Sequence, residues 1–192
     1  MRNHNKRCSL HLIPHYLYIC GELFYSTFYA TRYGFPLEEI KADGGCFFSD
    51  LIAVNFSEYI KYEFCKKQAE KEFLPLLICP PPRRHKRGNF AQKVCLSISE
   101  KTGVQFLPES FEIDTRNRYA TPKPTAALTA TIKSRIIILF DDVATTAYTL
   151  RRIVEVLKSL GFCSIYGLVA IDNRSVTTPT ELLRGLYEER TL

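Results

Sequence analysis

The chain contains no C-x-x-C pair, although 7 of its 192 residues are cysteine. Cysteines scattered in this way do not make the disulfide framework of a small secreted domain, and they are typical of a reducing compartment. No apolar run approaches the roughly 20 residues that a helix needs to cross a bilayer. We therefore expect a soluble, cytoplasmic protein with no membrane contact.

Signals for nucleophilic and metal chemistry are also sparse. No Gly-x-Ser-x-Gly segment occurs, so a serine nucleophile of the hydrolase type has no support. Structural zinc sites are usually marked by close-spaced ligand pairs, which the chain lacks. The N-terminal region still holds four side chains of ligand type, so a zinc ion there stays an open, less favoured alternative: Cys8, His11, His15 and Cys20.

The composition suits one globular domain without repeats or low-complexity tracts. With 46% hydrophobic residues, 13 Phe and 11 Tyr, the chain can bury a full core. The formal net charge of +6 fits an anionic ligand or a nucleic acid but requires neither. We describe the chain as an N-terminal helical region over residues 1–73 and a core over residues 74–192, together forming one compact unit.

Apolar periodicity and turn residues predict alternating strands and helices. Such alternation with short links favours an α/β fold, in which helices cover both faces of a mostly parallel sheet. Ligands of such sheets bind beyond the carboxyl ends of the strands. Strands are expected at residues 12–19, 74–79, 104–113, 136–139 and 164–171, and helices within residues 44–73 and at 90–102, 146–160 and 180–189.

Two adjacent acids, Asp141 and Asp142, follow the apolar run at residues 136–139. Carboxylates at the end of a buried strand are costly unless they meet a ligand, a cation or hydrogen-bond donors. The amides that follow lie where a helix N-terminus would point them at an anion. The segment therefore predicts a cradle for a ribose 5-phosphate, the alternative being a Thr-capped helix behind an acidic strand end. Its phosphate side comprises Val143, Ala144, Thr145, Thr146, Ala147, Tyr148 and Thr149.

A second segment of chemical interest follows the predicted strand at residues 74–79. Arg83, Arg84, Lys86 and Arg87 supply four cations in five residues, and Gly88 permits a tight turn after them. Such a cluster would hold a diphosphate through charge-assisted hydrogen bonds. A solvated basic turn and a contact to a nucleic-acid backbone are the alternatives.

The acidic segment resembles the signature of the type I phosphoribosyltransferases, which is an apolar strand, two acids, two variable residues and then Thr-Thr-Gly-x-Thr. Asp141, Asp142, Thr145, Thr146 and Thr149 match it. Ala147 departs from it, because the family has glycine there, and glycine lets a backbone approach a phosphate without a Cβ.

The basic segment resembles the loop of the ComF-like (competence protein F) branch of that family. The branch has Arg-Gly-Phe-Asn-Gln after a proline-containing strand end, whereas this chain has Arg87-Gly88-Asn89-Phe90-Ala91-Gln92, with Asn and Phe exchanged and one residue added. Both resemblances together span residues 74–172 and imply a type I phosphoribosyltransferase-like core with a small N-terminal hood.

The resemblance implies an enzyme, a glycosyltransferase that moves a phosphoribosyl group from 5-phosphoribosyl 1-diphosphate to a base or another nitrogen nucleophile. Asp141 and Asp142 would orient the ribose, and Mg²⁺ would be held mainly through the ligand rather than by a metal site of the protein. A lid that closes over the diphosphate would carry Arg116 and Arg118 as catalytic cations, with Lys123 nearby. The small-molecule partner would be the sugar diphosphate or a nucleoside monophosphate.

Two other functions stay open at this point. Ala147 and the rearranged basic segment favour a sensor that binds the sugar phosphate without turnover. The chain could also be a nucleic-acid-binding protein of the competence type that binds through its basic surface. The modest net charge does not favour this function. The acceptor and the oligomeric state, including a homodimer, are undetermined by the sequence.

Overall fold

The structure, a computed structural model, describes residues 10–30, 46–68, 75–80, 90–112, 121–131, 135–144 and 146–173. The strands are β1 (Leu10–Ile19), β2 (Glu22–Ala30), β3 (Leu76–Ile78), β4 (Gln105–Leu107), β5 (Phe111–Glu112), β6 (Lys123–Pro124), β7 (Ile137–Ala144) and β8 (Ile165–Asp172). The helices are α1 (Cys46–Gln68), α2 (Phe90–Thr102), α3 (Ala126–Thr129) and α4 (Tyr148–Ser159).

Six strands form one sheet in the order β1-β2-β8-β7-β3-β4. All neighbours in it run parallel except β1, which pairs with β2 in the antiparallel direction. The strands at its centre are continuous apolar runs, and the first four residues of β7 are fully buried. Such runs are typical of a parallel sheet covered on both faces. The predicted mostly parallel α/β class is confirmed.

Helices cover both faces of the sheet and create two core clusters. The first cluster joins α1 and α2 to one face, through side chains such as Ile52, Phe56 and Ile98. The second joins α4 and α3 to the other face, through side chains such as Leu150, Ile153 and Leu128. The apolar residues of α4 recur at three- and four-residue spacing, which is why this helix buries one side only.

The N-terminal strands extend the sheet beside β8. The sequence predicted β1, but β2 was missed. The two form a hairpin whose turn residues, Cys20 and Gly21, both have positive φ, at 54° and 81°. Two left-handed residues make the tight turn that matches the twist of the flanking strands. Glu22 then pairs with Lys158 at 2.6 Å, which ties the hairpin to the end of α4.

Successive strands are added to the sheet in opposite directions on the two sides of the boundary between β3 and β7. From β3 it passes through α2 to β4 on one side, whereas from β7 it passes through α4 to β8 on the other side. The two crossover helices therefore lie on opposite faces and leave a crevice between the carboxyl ends of β3 and β7. Ligands of open α/β sheets bind at such a reversal.

Several predicted boundaries need correction. Helix α4 begins at Tyr148 rather than at residue 146, because Ala147 takes a left-handed conformation that a helix cannot contain. The region at 104–113 holds two short strands, and β6 and α3 occupy part of the predicted long loop. The predicted helix at 180–189 lies outside the described residues. None of the helices in the described part of the chain combines the length and apolarity needed to cross a bilayer.

Candidate functional site

The acid pair lies inside β7 rather than after it. Ile137 to Phe140 are fully buried, whereas Asp141 and Asp142 are half-buried, in the last four residues of the strand. The Asp142 amide donates to Oδ1 of Asp141, and the Val143 amide donates to Oδ1 of Asp142, both at 2.9 Å. Each carboxylate is thus oriented by the backbone amide of the residue that follows it.

The predicted phosphate turn leads directly into the N-terminus of α4. Ala147 has φ 53° and ψ 17°, and its carbonyl accepts the first helical hydrogen bond from the Arg151 amide at 2.9 Å. The Tyr148 amide donates to Oγ1 of Thr146 at 3.4 Å. Thr149 is half-buried in the first turn of the helix, while Thr145 lies outside the described residues. The positive end of the α4 dipole therefore faces the turn that follows the acid pair.

Ala147 adopts the conformation for which glycine is usually required. A left-handed residue with a Cβ costs roughly 1–2 kcal/mol relative to its right-handed form. The Ala147 side chain is buried and belongs to the second core cluster. The core therefore accommodates the methyl group, which offsets part of that cost, and the turn has a left-handed residue at the position where the signature has glycine.

Strand β8 brings a third carboxylate to the same edge. Asp172 pairs in register with Ala144, and the Asn173 amide donates to the Ala144 carbonyl at 2.8 Å. Asp172 is the buried last residue of β8. The Asn173 Oδ1 atom is buried and has no hydrogen-bond partner in the described part of the chain.

Asp172 of β8 is paired with His15 of β1, and β2 lies between these two strands in the sheet. The distance from Nε2 of His15 to Oδ2 of Asp172 is 3.0 Å, and both side chains are fully buried. A signal for this pair exists in the sequence, because His15, Leu17 and Ile19 alternate along β1 with the exposed Tyr16 and Tyr18. The inward direction of His15 could be inferred, but its partner, 157 residues away, could not.

The zinc alternative gains no support from these placements. His15 contacts Asp172, and Cys20 is exposed in the hairpin turn. Across the described residues, no group of three or more potential ligand side chains comes together. Cys8 and the side chain of His11 lie outside that description.

Strand β3 ends beside β7, the strand that carries the acid pair. Ile78 of β3 pairs with Leu139 of β7, and Cys79 and Pro80 follow at the carboxyl end. Helix α2 starts at Phe90, ten residues after Pro80 in the sequence. Arg83, Arg84, Lys86, Arg87 and Gly88 lie outside the described residues.

A pair of buried thiols lies beneath this edge. Burial raises the pKa of Cys95 in α2 well above its usual value, and a hydrogen bond with Cys79 and the charge of Asp141 raise it further. Both thiols are free and buried.

At the end of the predicted lid, the structure describes a short two-stranded ribbon made of β5 and β6. Glu112 of β5 pairs with the exposed Lys123 of β6 in the antiparallel direction. Thr125 caps α3 and its hydroxyl donates to the Glu109 carbonyl at 2.7 Å. Arg116 and Arg118 lie outside the described residues, and their role as lid cations remains a prediction.

No protein-family model and no curated protein sequence matches the chain. Solved structures similar to it include a hypoxanthine phosphoribosyltransferase from Staphylococcus aureus, with 12% identity and a TM-score of 0.46, the match covering 68% of each chain. The hypoxanthine phosphoribosyltransferase of Trypanosoma cruzi in complex with the product IMP has 16% identity and a TM-score of 0.46, covering 67% of this chain and 71% of that one. Similarity at this level does not assign the chain to a family, and the ComF-like branch remains a prediction.

Proposed function

We propose that the chain binds 5-phosphoribosyl 1-diphosphate at the crevice between β3 and β7 and transfers its phosphoribosyl group to a nitrogen nucleophile. One observation carries the proposal: two half-buried carboxylates lie in the second half of a buried parallel strand at the reversal point, and the turn after this strand leads into a helix N-terminus. Sugar hydroxyls suit the carboxylates, and a phosphate suits the helix N-terminus. A single ligand that carries both groups would meet both elements.

In the proposed reaction the bond from ribose C1 to the diphosphate oxygen breaks, and a bond from the acceptor nitrogen to C1 forms. The diphosphate leaves with the bonding electrons, and the acceptor loses its proton. Asp141 and Asp142 would hold the ribose hydroxyls, and the turn from Val143 to Thr149 would hold the 5-phosphate. Positioning and electrostatic stabilisation would supply most of the rate enhancement.

The donor set at this edge fits Mg²⁺. Hard cations of this kind prefer carboxylate and phosphate oxygens, and Mg²⁺ usually binds through one or two carboxylates together with substrate phosphates. The half-buried Asp141 and Asp142 are donors of that type. Bound with the substrate, Mg²⁺ would neutralise charge on the diphosphate.

The basic segment and the lid complete the proposal. Arg83, Arg84, Lys86, Arg87 and Gly88 follow β3 in the sequence and would contact the departing diphosphate. Arg116 and Arg118 would close over it and exclude water, which protects a reactive ribose cation from hydrolysis. The Oδ1 atom of Asn173 is buried and has no hydrogen-bond partner among the described residues, so it would accept a hydrogen bond from the nitrogen nucleophile.

Calorimetric titration with Mg²⁺ and 5-phosphoribosyl 1-diphosphate tests the pocket. We expect saturable binding by the parent, loss of binding in Asp141→Asn/Asp142→Asn, and unchanged binding in Asp50→Asn, a matched change at an exposed position of α1. Circular dichroism would confirm that all three proteins are folded. No binding at millimolar ligand, or equal binding by the acid-pair variant, would reject the proposal.

A sensor that binds the sugar phosphate without turnover is a second candidate, and Ala147 is the observation that favours it. With alanine in place of glycine, the turn has less freedom to change shape during a reaction. Release of diphosphate in the presence of nucleobases separates the two functions. Binding with turnover supports the enzyme, whereas binding without turnover for any base supports the sensor.

A further inference from the structure

Strand β1 contains a bulge between Leu12 and His15. Leu12 pairs with Phe28 and His15 pairs with Ser26, so three steps along β1 are opposed to two steps along β2. A shift of one residue in the pairing moves a side chain to the other face of a sheet. His15 is buried, whereas Pro14 before it is exposed. The bulge therefore turns His15 into the fold, and bulges next to functional sites often re-aim a side chain in this way.

The side of β1 that carries His15 faces the second core cluster. Leu17 and Ile19 alternate with His15 along the strand and belong to that cluster. Ala144, the last residue of β7, and Ala147, the left-handed residue before α4, belong to it as well. His15 thus lies on the face of the sheet that α4 and the turn before it cover.

On this face His15 contacts the carboxylate of Asp172 at the end of β8. Nε2 of His15 and Oδ2 of Asp172 are 3.0 Å apart, and neither side chain has any exposed surface. Taking such groups out of water is costly, and apolar side chains of similar volume are often at least as stable in their place. Stability alone therefore does not account for a buried pair at the edge of the sheet where ligands bind.

The residue that follows Asp172 is held from two sides. The Asn173 amide donates to the Ala144 carbonyl at 2.8 Å, which fixes its backbone to the end of β7. Asp172, directly before it, is fixed by His15. The Asn173 Oδ1 atom is buried and has no hydrogen-bond partner among the residues that the structure describes. Buried oxygens nearly always have a donor, so a ligand is the expected partner of this atom.

We propose that His15 is a positioning residue for the acceptor, and that it acts through Asp172 by holding the Asn173 carboxamide against the acceptor base. The inference rests on the proposed function, in which Oδ1 of Asn173 accepts a hydrogen bond from the nitrogen nucleophile. The ribose and the 5-phosphate are held elsewhere in that proposal, by β7 and the N-terminus of α4. Loss of the buried pair should therefore weaken binding of the base and leave binding of the sugar phosphate unchanged.

Calorimetric titrations separate these two contributions. The probes are ribose 5-phosphate and the 5-monophosphates of adenosine, guanosine, inosine, cytidine and uridine. The ratio of the dissociation constant of ribose 5-phosphate to that of the tightest nucleotide, which we call the base ratio, measures what the base adds. We expect the base ratio to fall by about tenfold in His15→Phe/Asp172→Leu, while ribose 5-phosphate binds within about twofold of the parent. This variant removes both partners, so no buried carboxylate is left without its histidine.

Two further variants separate positioning from a general loosening of the hairpin. Glu22→Gln/Lys158→Met removes a different ion pair of the hairpin, the 2.6 Å contact with α4, and the base ratio should not change. His15→Gln keeps a hydrogen-bond donor within reach of Asp172 and should keep the base ratio within about threefold of the parent. Urea unfolding would show that all variants are folded. An equal fall in Glu22→Gln/Lys158→Met, or an unchanged base ratio in His15→Phe/Asp172→Leu, would overturn the proposal.

A double-mutant cycle tests whether the pair acts through Asn173. Asn173→Leu should lower the base ratio by itself, and adding His15→Phe/Asp172→Leu should lower it little further. Additive losses would show that the pair acts by another route and would refute the proposal. A parent that binds 5-phosphoribosyl 1-diphosphate, but binds no nucleotide more tightly than ribose 5-phosphate, would reject this inference alone. A parent that binds none of these ligands would reject the proposed function and this inference together.

Discussion

The ring of Phe24 in β2 lies directly over the Cα of Gly167 in β8. The two residues are neighbours in the parallel ladder, and both are buried. A Cβ placed on Gly167 would lie 1.7 Å from Cδ1 of Phe24, well inside the contact distance of two carbon atoms. The absence of a side chain at Gly167 therefore allows the aromatic ring to fill the second core cluster.

Gly167→Ala should destabilise the protein by about 3 kcal/mol, because the Phe24 ring must move within a packed core. Urea unfolding would measure the change. Phe24→Leu leaves more room above β8, so the double variant should lose less stability than the sum of the two single variants. Additive losses, or a stable Gly167→Ala, would contradict the observed contact.

His15→Phe should cost about 3–5 kcal/mol of unfolding free energy, because it removes a partner from the buried Asp172 carboxylate. His15→Phe/Asp172→Leu, which removes the carboxylate as well, should recover much of the loss. A double-mutant cycle in urea would give the coupling free energy of the pair. A coupling near zero would show that the 3.0 Å contact contributes nothing to stability.

Ala147→Gly should change the affinity for 5-phosphoribosyl 1-diphosphate by less than about threefold, because the methyl group packs in the core. Stability should change by less than about 1 kcal/mol, since relief of the left-handed strain opposes the lost methyl burial and the added freedom of the unfolded chain. Titration and urea unfolding would measure both quantities. A tenfold gain in affinity would mean that the methyl group narrows the phosphate turn.

Stability should fall as the pH rises from about 8 to 9.5, with Cys95 contributing to the slope. The raised pKa keeps the folded Cys95 thiol protonated, whereas the unfolded thiol ionises near its usual pKa of about 8.5. The unfolded state then binds fewer protons, so the unfolding free energy decreases with pH. Cys95→Ala should flatten this dependence in urea unfolding at several pH values. An unchanged slope in the variant would exclude Cys95 as its cause.

Local sequence patterns were sufficient to predict the strands of the parallel core. Strands β3, β7 and β8 are short apolar runs bounded by turn residues, and α2 ends at Gly103, as the sequence predicts. Strand β2 was missed although only the two-residue turn Cys20-Gly21 separates it from β1. Its other pairing, with β8, joins segments that are far apart along the chain, and no local pattern encodes that contact.

The features of the candidate site also fall into two groups, those that the sequence predicted and those that only the structure revealed. The sequence by itself determined the acid pair, the following helix and the apolar strand before them, because side-chain chemistry and periodicity are local properties. Only the tertiary structure decided that Ala147 is left-handed with its methyl in the core and that Asp172 is buried against His15. These features depend on which distant segments meet, and that is set by packing of the whole chain rather than by any one segment.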